Sequence, residues 1–149
     1  MKLAVSVLAV GLLLAGCGGG GESEAEQERE QGAASAGLPS CDAKATSAPL
    51  PASFPGAFPL PPDTVVTSVG EGGGGTFVRG VVPLSLKQAA AFFHRRVPKA
   101  GFQPGEADAE PWEAESGFSG KGVEGKWKVN ELPECLEKAA LLVAVSEKQ

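Results

Sequence analysis

The stretch that decides the fold reads Val123-Glu124-Gly125-Lys126-Trp127-Lys128-Val129-Asn130-Glu131. Val123, Gly125, Trp127 and Val129 alternate with Glu124, Lys126 and Lys128. Successive side chains of a strand point to opposite faces, so one face is dry and the other wet. A strand of that kind belongs to an antiparallel sheet. Downstream, Ala139-Ala140-Leu141-Leu142-Val143-Ala144-Val145 is apolar on both faces, which predicts a central strand from Ala139 to Ser146.

Further upstream, Phe102–Ala109 and Glu113–Ser119 also read as strands, punctuated by Pro111, by Gly120-Lys121-Gly122 and by the Pro133 to Lys138 turn. Ser85 predicts a helix N-cap with Gln88 as its capping-box partner, and Leu86, Ala89, Ala90, Phe93 and Val97 then fall on one helical face. Pro98 removes a backbone donor, so the regular helix is expected to end near Val97, with Gly101 closing the segment. Asp63–Val69 and Thr76–Val82 are rich in β-branched residues and predict two strands, joined by a long hairpin loop through Gly70 to Gly75. One helix available to cover a sheet of about five or six strands defines an α+β fold, a two-layer sandwich of antiparallel sheet on helix in the order ββαβββ.

Between Pro49 and Pro62 six prolines alternate with Leu50, Phe54, Phe58 and Leu60. That spacing favours an extended path over a helix or a central strand. The apolar residues are expected to wrap this Pro-rich lead, residues 41–62, across the domain. The alternative use of Pro59-Leu60-Pro61-Pro62, as a ligand for a proline-binding partner, is the weaker one because the same spacing serves a strand lead-in.

The N-terminus begins Met1-Lys2, continues without a charge from Leu3 to Leu14 and ends Ala15-Gly16-Cys17. A basic start, a short apolar run and small residues before a cut are the marks of a signal peptide, and the run is too short to span a bilayer. Leu14-Ala15-Gly16-Cys17 resembles the lipobox of bacterial lipoproteins. The resemblance implies that residues 1–16 are removed, that the Cys17 thiol takes a diacylglyceryl group, and that the acylated chain is held outside the cytoplasm on the cell membrane or outer membrane. Gly18 follows the cysteine in place of the aspartate that resembles a plasma-membrane retention signal, so both membranes stay open. Gly18 to Gly21, five glutamates between Glu22 and Glu30, and small residues as far as Gly37 have nothing to bury. Residues 17–40 are therefore expected to be a disordered tether with a root-mean-square reach of about 25–30 Å, and residues 41–149 a single domain.

The chain carries 13 basic and 18 acidic residues. From Cys41 onward the counts are 11 and 13, a near-neutral domain without the basic field that nucleic acid demands. Once Cys17 is acylated, Cys41 and Cys135 are the thiols that remain. Outside the cytoplasm such a pair is expected to form a disulfide, and closing so long a loop stabilises by roughly 4–5 kcal/mol in the chain-entropy model. A catalytic cysteine would need a reduced, activated thiol, and a metal site needs more than two thiols and one imidazole.

Other candidate chemistry is thin. Gly70, Gly72 and Gly75, and again Gly120, Gly122 and Gly125, match a dinucleotide-binding spacing, but a strand follows each where a helix N-terminus is required. His94 lies among Arg95 and Arg96 near a helix C-terminus, where cations favour the dipole. Glu106, Asp108, Glu110, Glu113 and Glu115 alternate as a solvated sheet face would, without a calcium-loop pattern. Trp112 beside them is a lid on the core or, if exposed, a contact residue. No catalytic residue, cofactor or metal is expected. The domain's Pro-rich lead, hairpin, Ala-rich helix and apolar last strand resemble small bacterial envelope lipoproteins. The expected function is a non-enzymatic binding or interaction module whose partners are the membrane, through the lipid, and an envelope protein or small ligand. The alternative is a carrier holding a small apolar ligand between helix and sheet. Whether Phe92, Phe93 and Trp127 fill that space separates the two.

Overall fold

The computed structural model describes residues 37–149. The expected signal peptide, the acylated Cys17 and the tether up to residue 36 lie outside the described residues. The rest is an α+β fold, a six-stranded antiparallel sheet with one helix. Strands β1 (Val65–Gly72) and β2 (Gly75–Val82) precede helix α1 (Leu86–Lys99). Strands β3 (Gln103–Glu110), β4 (Glu113–Gly120), β5 (Val123–Glu131) and β6 (Ala139–Glu147) follow it. Four strands follow the helix, one more than the order ββαβββ allows. All four match segments expected to be strands, so that order undercounts them by one; β3, expected at Phe102–Ala109, is an edge strand with no buried side chain.

The spatial order is β1-β2-β6-β5-β4-β3. The apolar last strand is inserted between β2 and β5, as expected of a central strand. Val143 stands opposite Val78 on one side and Trp127 on the other. Four successive antiparallel pairings make β2 and β3 run the same way, so α1 crosses the three strands between them. That crossing lays the helix on one face of the sheet. Ala89, Phe93 and Val97 of α1, Val78 and Val82 of β2, Leu141 and Val143 of β6, and Trp127 and Val129 of β5 form its core. Phe58 lies 4.7 Å from Phe118 and 6.1 Å from Phe93, and Phe93 stacks on Trp127 at 5.1 Å.

The helix begins as its sequence demands. Gln88 N–H donates to Ser85 Oγ, and Ser85 N–H donates to the Gln88 side chain. It runs two residues beyond Val97. Pro98 deletes a single donor in the last turn, and the Ala100 N–H still reaches the Arg96 carbonyl at 2.9 Å. The glycine stretch is also more regular than a long loop. Strands β1 and β2 extend through it and leave Gly73 and Gly74, at φ of 60° and 80°, as a two-residue turn of the hand that hairpins favour. Lys121 and Gly122, at 54° and 81°, do the same between β4 and β5.

The Pro-rich lead wraps two faces. Cys41 is bonded to Cys135, with their α-carbons 6.2 Å apart. Around that bridge Val81, Leu132 and Ala140 form a second cluster on the face away from α1, and Leu38, Cys41 and Ala43 pack against it. Among the described residues packing is thus already present at Leu38, three residues before the expected domain start. Thr46 N–H then donates to the Val66 carbonyl at the β1 edge, 2.7 Å. Beyond the edge Phe54 and Phe58 enter the core beneath α1. Leu60 packs on the same core and Pro61 is buried.

Candidate functional site

The space between helix and sheet is occupied. Phe93 and Trp127 are fully buried, Phe54, Phe58, Phe102 and Phe118 nearly so, and Phe92 packs on them from the side. An apolar ligand has no room there. The opposite sheet face is the open one, and it divides into three zones along and across the strands.

One zone is closed by the disulfide cluster just described. A second is a charge ladder. The register sets Asp108 opposite Glu115 and Glu110 opposite Glu113, like charges facing each other across β3 and β4. Strand β5 supplies the relief. Lys126 reaches Glu115 at 2.6 Å, and Lys128 reaches Glu113 at 2.8 Å and Glu115 at 3.9 Å. The hydrogen bond to Glu115, and then its charge, raise the Lys126 pKa above the usual 10.5. The expected solvated face of acids is thus paired and spread along two strands. Among the described residues no group of three or more His, Cys, Asp or Glu is placed to hold a metal ion.

The third zone is a trough of about 620 Å³ at the end of the face away from the disulfide. Its floor is built from residues with little or no side chain: Gly75 on β2, Ala144 and Ser146 on β6, and Gly117 and Ser119 on β4. Phe77 borders it on one side, and Glu124 and Lys126 of β5 stand between the small residues of β6 and those of β4. The Phe77 ring is held from beneath and above. It covers Gly70, where an added Cβ would overlap the ring, and the Arg79 guanidinium lies over it at 5.4 Å. Arg79 contacts the Gly37 carbonyl at 3.5 Å and is in no ion pair among the described residues, and its Nε is buried without a partner.

None of the residues singled out in the sequence for chemistry lines this trough, apart from the glycines of the two rejected nucleotide spacings. Those glycines serve hairpin turns and the trough floor. His94 is exposed and lies edge-on to Trp127, ring centres 5.1 Å apart. Trp112 is half-buried in the β3–β4 turn, where its carbonyl accepts from Glu131 N–H at 2.8 Å. Sequence reasoning missed Phe77, Arg79, Ala144 and the small residues around them. Their signal was present but scattered: Gly75 on β2, Ala144 and Ser146 on β6, and Gly117 and Ser119 on β4 stand at wet-face positions where a solvated sheet usually carries long polar side chains. No protein-family model, curated protein or solved structure matches the chain.

Proposed function

We propose that the protein is an exported lipoprotein, acylated at Cys17, whose two-layer domain is a non-enzymatic binding module. The trough on the open sheet face is its binding site. The observation that carries the assignment is the contrast between the faces. The helix side is filled with aromatic rings, whereas the open side keeps a cavity of ligand size floored by backbone. Such a floor lets an extended partner segment approach the sheet closely. Phe77 offers it an apolar contact, and Glu124 and Lys126, standing between the two groups of small residues, offer charges of both signs. The lipobox-like Leu14–Cys17 segment and the Cys41–Cys135 bridge both support residence outside the cytoplasm. The membrane and an envelope protein or small ligand are then its partners. Nucleic acid is not, since the domain has no basic excess.

A photo-crosslinking residue placed at Ala144 in cells tests the site. Ala144 is exposed on the trough floor, so its side chain can be exchanged without disturbing the core. A discrete adduct from position 144, lost when Phe77 is changed to Ala and absent from a probe at Gln88 on the helix, is expected. Equal labelling from both positions would remove the trough as the binding face.

A further inference from the structure

We infer that the outer face of α1 rests on an anionic lipid surface and thereby turns the trough away from the membrane. This builds on the lipid anchor proposed above, which would hold the domain beside such a surface. The helix sequence, Leu86 to Lys99, contains Lys87, His94, Arg95, Arg96 and Lys99 and no acidic residue. All five side chains are exposed. Among the described residues none of the four permanent cations is ion-paired. Lys121 adds a further cation at the same end, its ammonium 5.8 Å from the Phe102 ring and its stem against Gly101.

The domain is close to neutral in sum, so a helix with only positive charge leaves the rest acidic. Five of the domain's thirteen acids are gathered on one hairpin away from the Arg95–Lys99 end of the helix. Glu106, Asp108, Glu110, Glu113 and Glu115 all lie on the β3–β4 hairpin, where Lys126 and Lys128 of β5 pair with Glu115 and Glu113 on the face opposite α1, and Glu110 and Glu113 also line a hollow shared with Lys87 at the start of the helix. A charge distribution of this shape is oriented by a negatively charged plane, helix inward. Apolar surface lies within the basic patch. Pro59, Leu60 and Phe92 line a shallow hollow of about 310 Å³ rimmed by Arg96 and Lys99, and the Arg96 guanidinium lies 5.8 Å from the Phe92 ring. Cations around a partly exposed aromatic ring suit the boundary between headgroups and acyl chains. The polypeptide leaves the domain at Gly37 beside Arg79, on the opposite face. Nineteen residues lie between Cys17 and Gly37, and twenty peptide steps allow a span of up to about 66–72 Å, ample to pass round the sheet edge.

The test uses the exported chain with Cys17→Ser, so that no acyl group contributes. It is centrifuged with vesicles of equal parts phosphatidylcholine and phosphatidylglycerol, and with vesicles of phosphatidylcholine alone. Binding to the anionic vesicles only, weakened by added salt, is expected. Arg95→Gln with Lys99→Gln should reduce partitioning by about fivefold for each cation removed. Lys44→Gln with Lys148→Gln makes the same change in net charge off the helix and should have little effect. Both pairs lie at exposed positions, and an unchanged melting temperature confirms folding. No binding to the anionic vesicles, equal binding to both vesicle types, or an equal loss from both double variants would overturn the inference. Failure of fatty-acid labelling at Cys17 would instead overturn the anchor and leave this result standing.

Discussion

Trp127 holds the largest share of the core of any side chain. It is buried to 1% exposure between Val143 and Ser116 of the neighbouring strands and under Phe93. Trp127→Ala should cost about 3–5 kcal/mol, read as a shift in the urea midpoint. Lys126 makes a smaller, pH-dependent contribution. Its pKa is raised in the folded state, so its stabilisation is complete below 10.5 and is lost as pH climbs through the raised value. Its side chain is more than half exposed, so the effect is small. Glu115→Gln should bring the Lys126 titration back toward 10.5, followed by NMR of its side-chain signals. An unmoved titration would show that the pair is not formed in solution. The dry positions of β5 were legible because alternation sorts side chains by face. The reason one of them is Gly125 was not. An added Cβ there would overlap the Ala144 carbonyl oxygen and come within 2.7 Å of the Phe118 ring, a contact between strands that no local pattern encodes.

Elements show the same division. The capped start of α1 and the interior place of β6 follow from local chemistry and from an apolar run. Strand β3 was legible as a strand but its place at the sheet edge was not, since only its pairing to β4 holds it in the sheet. Its acids and bulge near Gly105 and Glu106 also discourage other chains from adding to that edge. The Pro-rich lead was legible as an extended wrap, but its passage from one face to the other was not. That path depends on where Cys135 falls in the finished sheet. Bridge and lead are coupled in stability. Reduction should destabilise the domain by about 2–5 kcal/mol. In hydrogen exchange the Thr46 amide should lose protection before amides of β5 and β6, because the lead has few backbone bonds to the sheet. Uniform loss across all strands would show that the lead does not open by itself.

At the scale of the molecule, one side presents a cationic helix and the other an acidic hairpin, a stapled end and a small-residue trough. The class of fold was readable from periodicity, whereas the trough was not. A cavity made by missing side chains becomes visible only when strands distant in sequence, β2, β4 and β6, are set close together. The proposed residence of the domain at a membrane rests on an acyl chain at Cys17. Metabolic labelling with a radioactive fatty acid measures that directly. Label should appear on the wild-type chain and be absent from Cys17→Ser. An unlabelled wild type, or label that persists on the variant, would contradict the account.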